Sequence, residues 1–284
     1  MNNKLWKIFI LVILTNLTAF GQNYEPLDLA KKIFGKDSLT NIMEYSTGEY
    51  QGKPNGQDLQ KNSTLKFVLL GQTEKDAFVG MTILDTTGKG IDTYLRFKKD
   101  TIWKMYSFRA LAMTNMLEQA LIELQKKTPE QIDKMIEKSK TKNGKDEIFK
   151  SKEDYQFYLG NLKLTIDLDE NIINHFLKNQ VEFEKLKNIA LKELETKKKK
   201  KDKERGLKLV ENLEPDYNKL FVSSITFGND EVGENCLVFL IGGILDNTVG
   251  YLYIKDKKDL PKMPSGTIIM IKEIGNGWFL YKTT

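Results

Sequence analysis

Short alternating apolar segments joined by tight polar links are the feature that most constrains the fold of this 284-residue chain. The clearest pair, 93–97 and 102–108, is separated by only four polar residues. Such a link reverses the chain but is too short for a crossover between parallel strands, so neighbouring segments must run antiparallel. The predicted strands of this first block are 65–70, 77–84, 93–97 and 102–108.

A second block of predicted strands occupies the C-terminal part of the chain. Its members are 220–227, 236–241, 250–254, 267–271 and 278–281. Asn276-Gly277 separates the last two, and this dipeptide favours the positive φ angles that a two-residue hairpin turn requires. The second block therefore also predicts an antiparallel sheet.

Helical spacing of apolar residues precedes each block and predicts helices beside the strands. A short amphipathic helix is expected over 27–36, and Thr128 with Gln131 predicts a capping box at the start of another. One long helix is expected after Asp169, which should cap it. Its buried face should contain Ile172, Phe176, Phe183, Leu186, Ala190 and Leu194. The predicted fold class is α+β.

Two helix-plus-antiparallel-sheet modules follow from this order. We expect an N-terminal α+β module over 22–140, a polar linker over 141–154 and a C-terminal α+β module over 155–284. The spacing of Trp103 and Tyr106 recurs at Trp278 and Tyr281. This recurrence favours a distant internal duplication, with chance similarity as the alternative.

The first twenty-one residues have the order of a secretory signal peptide. Lys4 and Lys7 precede the apolar run 8–14, and the small residues Ala19 and Gly21 follow it. This order predicts cleavage after Gly21 and export to the periplasm or the extracellular space. No transmembrane segment is expected after cleavage.

Charge and cysteine content narrow the classes of partner and of fold. The net charge of +5 falls to +3 once Lys4 and Lys7 are removed, which is too small to predict a nucleic-acid partner. Cys236 is the only cysteine, so no intrachain disulfide can form. Its apolar surroundings predict a buried core residue rather than a reactive thiol.

The order of helices followed by an antiparallel sheet, with a final strand containing Trp278, resembles a known group of domains. These are the small exported bacterial α+β domains of the nuclear transport factor 2-like and cystatin-like kinds, whose functions are unknown. The resemblance implies helices packed on a curved antiparallel sheet and favours a binding module over an enzyme. It implies no functional residue.

Aromatic residues of the final strands form the first candidate site. Tyr251, Tyr253, Trp278 and Tyr281 could together provide a ligand-binding surface for a sugar or a peptide. The alternative is that one face of these strands packs against a helix as core.

A polar stripe on the long helix forms the second candidate. His175, Asn179 and Glu182 recur at helical spacing, and His175, the only histidine, could act there as an acid or base. The alternative is a structural boundary between core and solvent. If the protein is an enzyme, a carboxylate such as Asp85 or Asp246 would act together with His175.

Neither a metal site nor a cofactor is predicted. Asp167, Asp169 and Asn171 match the opening of a calcium loop, but Ile172 stands where the loop requires glycine. The lysine run 197–201 fits a solvated helix end, with binding to an anionic surface as the alternative.

These observations favour a non-enzymatic function. We expect an exported soluble binding or interaction protein of the cell envelope, with an envelope protein, a peptide or a glycan as its partner. The alternative is an exported hydrolase that uses carboxylates with His175.

Overall fold

The computed structural model describes residues 22–36, 39–141, 148–199, 206–263 and 267–284. These residues form seven α-helices and two antiparallel sheets, which confirms the predicted α+β class. The predicted signal peptide 1–21 lies outside them, as does part of the lysine run 197–201. Of the helices described, none combines the length and the apolarity needed to cross a bilayer.

The chain divides into two compact units. Of the described residues, those up to Met81 and Leu95–Phe108 form the first unit, and those of Thr82–Tyr94 and Arg109–Thr284 form the second. Among the described residues, the four strands of one sheet all precede the predicted linker 141–154, and the six strands of the other all follow it. Separate folding of modules 22–140 and 155–284, and their origin by duplication, stay predictions.

The four-stranded sheet has the simple meander order that its short links predict. Its strands are β1 (Thr64–Gln72), β2 (Asp76–Leu84), β3 (Gly90–Lys99) and β4 (Trp103–Ala110), each paired with its neighbour in sequence. Helix α1 (Pro26–Phe34) precedes them and packs against β1. Each predicted strand of this block is confirmed, with ends that differ by up to three residues.

The six-stranded sheet has the order β5-β6-β7-β8-β10-β9. Its strands are β5 (Leu207–Lys208), β6 (Ser224–Asn229), β7 (Gly233–Ile244), β8 (Asn247–Tyr253), β9 (Ile268–Gly275) and β10 (Trp278–Thr283). Strand β10 lies between β8 and β9 and is antiparallel to both. The predicted hairpin is confirmed, because Asn276 and Gly277 have φ angles of 54° and 81°.

Six helices belong to the second unit. They are α2 (Thr114–Gln125), α3 (Pro129–Ser139), α4 (Lys152–Thr165), α5 (Asp169–Lys178), α6 (Gln180–Lys199) and α7 (Glu214–Asn218). Helices α2 and α3 pack against α4, which in turn packs against β7. The predicted capping box is confirmed: the Gln131 amide donates to Thr128 Oγ1 at 3.3 Å, and the Thr128 amide donates to Gln131 Oε1 at 2.9 Å.

The single long helix expected after Asp169 is instead two helices, α5 and α6, separated at Asn179. The Asn179 side-chain amide donates to the His175 carbonyl at 2.8 Å, and the Asn179 backbone amide donates to the same carbonyl at 3.3 Å. The predicted buried face is nevertheless correct. All six of its apolar residues are buried.

The prediction that Asp169 caps helix α5 is wrong. Leu168 occupies the N-cap position without a side-chain cap, and the Asp169 amide donates to Asp92 Oδ2 at 2.6 Å. The Asp169 carboxylate turns inward, where it accepts the Tyr94 hydroxyl at 2.9 Å and pairs with Lys282 Nζ at 2.8 Å. The Asp92 carboxylate of strand β3 therefore accepts the first amide of helix α5, and it supplies the negative charge that is favourable at a helix N-terminus.

Candidate functional site

The predicted aromatic surface lies in the core of the second unit. Tyr251, Trp278 and Tyr281 are fully buried, and Tyr253 is half-buried. The strand register pairs Tyr253 with Trp278, which brings these two and Tyr251 to one face of the sheet. Tyr281 pairs with Gly250 and points to the opposite face.

Trp278 is enclosed by other aromatic rings. Its ring centroid lies 5.0 Å from that of Phe176 and 4.9 Å from that of Phe239, and its Nε1 donates to Glu184 Oε1 at 2.7 Å. The Tyr251 hydroxyl donates to the Ile172 carbonyl at 2.8 Å. These contacts correspond to the packing alternative, and a ligand-binding role for the aromatic set stays a prediction.

His175 is held by backbone and aromatic contacts. Its Nε2 lies 3.1 Å from the Leu220 carbonyl oxygen and must donate to it, because a carbonyl can only accept. Its ring stacks on Phe221 with centroids 5.5 Å apart. Burial lowers the pKa of His175, and the hydrogen bond to Leu220 offsets part of that effect. The imidazole is therefore neutral at about pH 7, with its proton on Nε2.

The other members of the polar stripe have separate tasks. Asn179 ends helix α5, whereas Glu182 is exposed and pairs with Lys185 at 3.6 Å. The Asp85 carboxylate accepts the Thr87 amide at 2.8 Å inside a turn, and Asp246 accepts the Asn247 side-chain amide at 3.1 Å. The contacts of the described residues bring neither aspartate to His175.

Metal binding would require several ligating side chains close together. Within the described part of the chain, no three His, Cys, Asp or Glu side chains form such a group. Cys236 is buried in the apolar cluster beside Phe279, and burial raises the pKa of its thiol to about 12. The thiol is therefore protonated and shielded, as the sequence predicts for a core cysteine.

An open cleft of about 640 Å³ lies between two segments of the second unit. Its walls come from the first turns of α4 and from α7 with the residues that follow it. Phe157, Pro215 and Phe221 supply its apolar lining. The volume lies within the range of small-molecule and peptide side-chain pockets.

The α4 wall is fixed by its capping interactions. Ser151 is the N-cap, and its Oγ accepts the Asp154 amide at 3.0 Å. Asp154 Oδ2 in turn accepts the Lys150 amide at 2.8 Å. Because these bonds satisfy orphan groups at the helix start, they fix the first turn, from which Phe157 extends into the lining.

The opposite wall ends at a residue with an unusual backbone conformation. Phe221 has a φ angle of 58°, a left-handed region that bulky residues rarely adopt. Two hydrogen bonds hold it there: its amide donates to the Asn218 carbonyl at 3.0 Å, and its carbonyl accepts the Asn161 side-chain amide at 2.8 Å. The fold therefore maintains the Phe221 ring at the cleft against a local conformational cost.

Gly160 provides the space in which this ring lies. A Cβ atom at Gly160 would be 2.1 Å from Phe221 Cε1, far closer than any contact that real side chains make. Glycine destabilises a helix interior by about 1 kcal/mol relative to alanine, so its presence in α4 is explained by packing rather than by helix formation. Gly160 and His175 each contact the Phe221 ring.

Charged side chains surround the apolar lining. Lys152 Nζ pairs with Asp133 Oδ1 at 2.9 Å, and Lys219 Nζ pairs with Asp216 Oδ1 at 3.1 Å. Glu153 and Glu214 also line the cleft and are exposed. Among the described residues, neither of these glutamates forms an ion pair.

Sequence reasoning missed this cleft, although one local pattern pointed to it. A glycine inside an otherwise helical segment, as at Gly160, indicates close packing by a neighbour. The neighbour itself, Phe221, lies far away in sequence and carries no turn residue that would indicate a positive φ. Compared with known proteins, the chain matches no family model, no curated protein and no solved structure.

Proposed function

We propose that this chain is an exported binding protein whose ligand inserts an apolar group into the cleft between Phe157 and Phe221. The observation that carries the proposal is an open cleft of about 640 Å³ whose aromatic lining is held in place by the surrounding chain. Half-buried aromatic rings in a concave site are the usual means of binding an apolar group.

Two energetic terms favour binding: the apolar area that a ligand would bury, and the order that the cleft already has before a ligand binds. Burying one large apolar side chain contributes about 1.5–3 kcal/mol. Phe221 is already fixed by Asn161, Asn218 and Gly160, so little conformational entropy remains to be lost when a ligand binds. A cleft of this kind is suited to modest, reversible binding rather than to covalent chemistry.

The hydrolase alternative is not favoured by these contacts. An acid–base centre needs titratable groups within hydrogen-bond reach of one another and of a substrate. His175 donates instead to a backbone carbonyl and stacks on Phe221. A function in the cell envelope, with a protein, peptide or glycan partner, rests on the signal-peptide pattern of residues 1–21.

Ligand binding by the cleft is tested with a short blocked peptide that contains phenylalanine between two neutral residues. Titration of the isotope-labelled protein should shift the amide resonances of 151–157 and 214–221. Phe157→Ala should abolish these shifts. The matched control is Tyr158→Ala, which removes the neighbouring aromatic ring that does not line the cleft.

The proposal would be contradicted by a peptide that shifts resonances elsewhere and not in these two segments. It would equally be contradicted if Phe157→Ala and Tyr158→Ala weakened binding to the same extent. Circular dichroism should establish that both variants are folded before the comparison is made.

A further inference from the structure

The charged side chains of the cleft differ in whether they already have a partner. Lys152 and Lys219 form ion pairs with aspartates that are not part of the lining. Asp154 is engaged at the N-terminus of α4 as an acceptor for the Lys150 amide. Among the described residues, the charged side chains of the lining without an ion-pair or hydrogen-bond partner are Glu153 and Glu214, which are both negative.

We infer that the cleft binds a peptide segment in which an aromatic or aliphatic side chain is flanked by lysine or arginine. The inference rests on the proposed function and adds the charge of the ligand to it. An apolar lining alone would accept any apolar group. An apolar lining with two unpaired carboxylates selects a group that carries positive charge beside it.

The two parts of such a ligand have separate binding partners. The apolar side chain would contact Phe157, Pro215 and Phe221. The flanking cations would lie near Glu153 and Glu214, one on each wall of the cleft. A cation close to the Phe157 or Phe221 ring would gain a further attraction from the ring face.

Backbone groups of the α4 wall favour a peptide over other cationic ligands. The first N–H groups of a helix have no partner within the helix. Ser151 satisfies the Asp154 amide, whereas the Lys152 and Glu153 amides have no acceptor among the described residues. Both residues line the cleft, and amides at a helix start are suited to a peptide carbonyl.

Three blocked tripeptides, Lys-Phe-Lys, Gln-Phe-Gln and Glu-Phe-Glu, distinguish the charge of the ligand from its apolar part. Exposed ion pairs typically change an equilibrium by about threefold each, so Lys-Phe-Lys should bind about tenfold more tightly than Gln-Phe-Gln at low ionic strength. That preference should fall below about threefold in roughly 0.5 M sodium chloride. Glu-Phe-Glu should bind most weakly.

Protein variants then assign the preference to the two glutamates. The double variant Glu153→Gln, Glu214→Gln should reduce the tenfold preference to about twofold or less. Glu195→Gln, which removes an exposed charge from helix α6 outside the cleft, should leave the preference unchanged. All three substitutions lie at exposed positions, and circular dichroism should verify that the variants are folded.

The outcomes separate the inference from the proposed function. Equal binding of Lys-Phe-Lys and Gln-Phe-Gln would overturn the inference and leave the cleft as a binding site. Tighter binding of Glu-Phe-Glu, or a double variant with the full tenfold preference, would also overturn it. If none of the three tripeptides binds to the cleft, both the inference and the proposed function fail.

Discussion

Two regions of the second unit use the same residue types in opposite ways. The closed cluster, formed by Phe176, Phe183, Tyr251 and Trp278 beneath strand β10, excludes water completely or nearly so. The cleft, with Phe157 and Phe221 in its walls, is open to solvent. Both regions place carboxylates near aromatic rings, but Glu153 and Glu214 of the cleft have no ion-pair partner among the described residues.

Polar pairing is therefore a better guide to function than aromatic content. Beside the closed cluster, Asp169 has Lys282 and Tyr94 as partners, and Asp92 accepts the Asp169 amide. These groups are buried and already hydrogen-bonded within the fold, as buried polar groups ordinarily are. The cleft retains Glu153 and Glu214, whose charges remain available.

The largest effect should come from removing the cation beside the closed cluster. Lys282→Met leaves the Asp169 and Asp92 carboxylates buried without a positive charge. Breaking a buried pair in this way should lower the free energy of unfolding by about 3–5 kcal/mol, as measured by urea denaturation.

Lys272→Met is the matched control for this substitution, because Lys272 lies on the adjacent strand and is only half-buried. Its cost should stay within about 0.5 kcal/mol. Equal costs for the two variants would show that the Lys282 ion pair contributes nothing beyond an ordinary lysine position, and the contrast between the two regions would lose its basis.

The next largest effect should be a difference in stability between two variants, one in the closed cluster and one in the cleft. Trp278→Ala removes a fully buried ring that packs on Phe176 and Phe239, so it should cost about 3 kcal/mol or more. Phe157→Ala truncates a half-buried ring in the cleft and should cost about 1 kcal/mol. Thermal or urea unfolding of both variants measures the difference. A Trp278→Ala protein as stable as the wild type would break the comparison.

A smaller effect should depend on pH and arise from Asp92. Burial and the neighbouring Asp169 carboxylate raise the pKa of Asp92, and Lys282 opposes them. The folded state thus holds the Asp92 proton more tightly than the unfolded state, whose pKa is 3.8. The stability from this group is present below that value and is lost as the pH rises through the folded pKa.

Asp92→Asn removes this dependence because asparagine does not ionise. The free energy of unfolding of the variant, relative to the wild type, should therefore increase between about pH 4 and pH 7. Unfolding curves across that range measure the difference. A constant difference would mean that Asp92 has the same pKa in both states.

The smallest effect should come from His175, which contacts both regions through Phe183 and Phe221. His175→Gln should change stability by no more than about 1 kcal/mol at neutral pH and leave tripeptide affinity within about twofold. Because burial lowers the pKa of His175 below 6.5, its contribution should be lost as the pH falls, and the variant should not show that loss. Abolished binding would mean that His175 itself belongs to the cleft.

The strands were predictable because their pattern is local. Alternation over 77–84 or 102–108 and the Asn276-Gly277 turn contain all the information that a hairpin requires. The break at Asn179 was not predictable from apolar spacing, since the buried face continues across it. The break lies at a single residue, Asn179, whose backbone leaves the helical conformation and whose side chain donates to the His175 carbonyl.

The partners of the buried charges could not be predicted, because they come from distant parts of the sequence. Lys282 stands between Tyr281 and Thr283 in a strand, where a lysine ordinarily faces solvent. Its partner Asp169 is on α5, and Tyr94 is on β3. The same holds for Phe221, whose conformation depends on Asn161 and Gly160 of helix α4.

Lys282 also has a consequence for how strand β10 is aligned. Trp278 and Lys282 lie on one face of the strand, while Phe279 and Tyr281 lie on the other, within the apolar cluster around Cys236. A slip of one residue would exchange the two faces and bury the ammonium group among hydrocarbon side chains. An otherwise apolar strand that is buried on both sides has little to distinguish one alignment from the next. The single lysine therefore penalises a shift of one residue in either direction, which favours the observed pairing of strand β10 with β8.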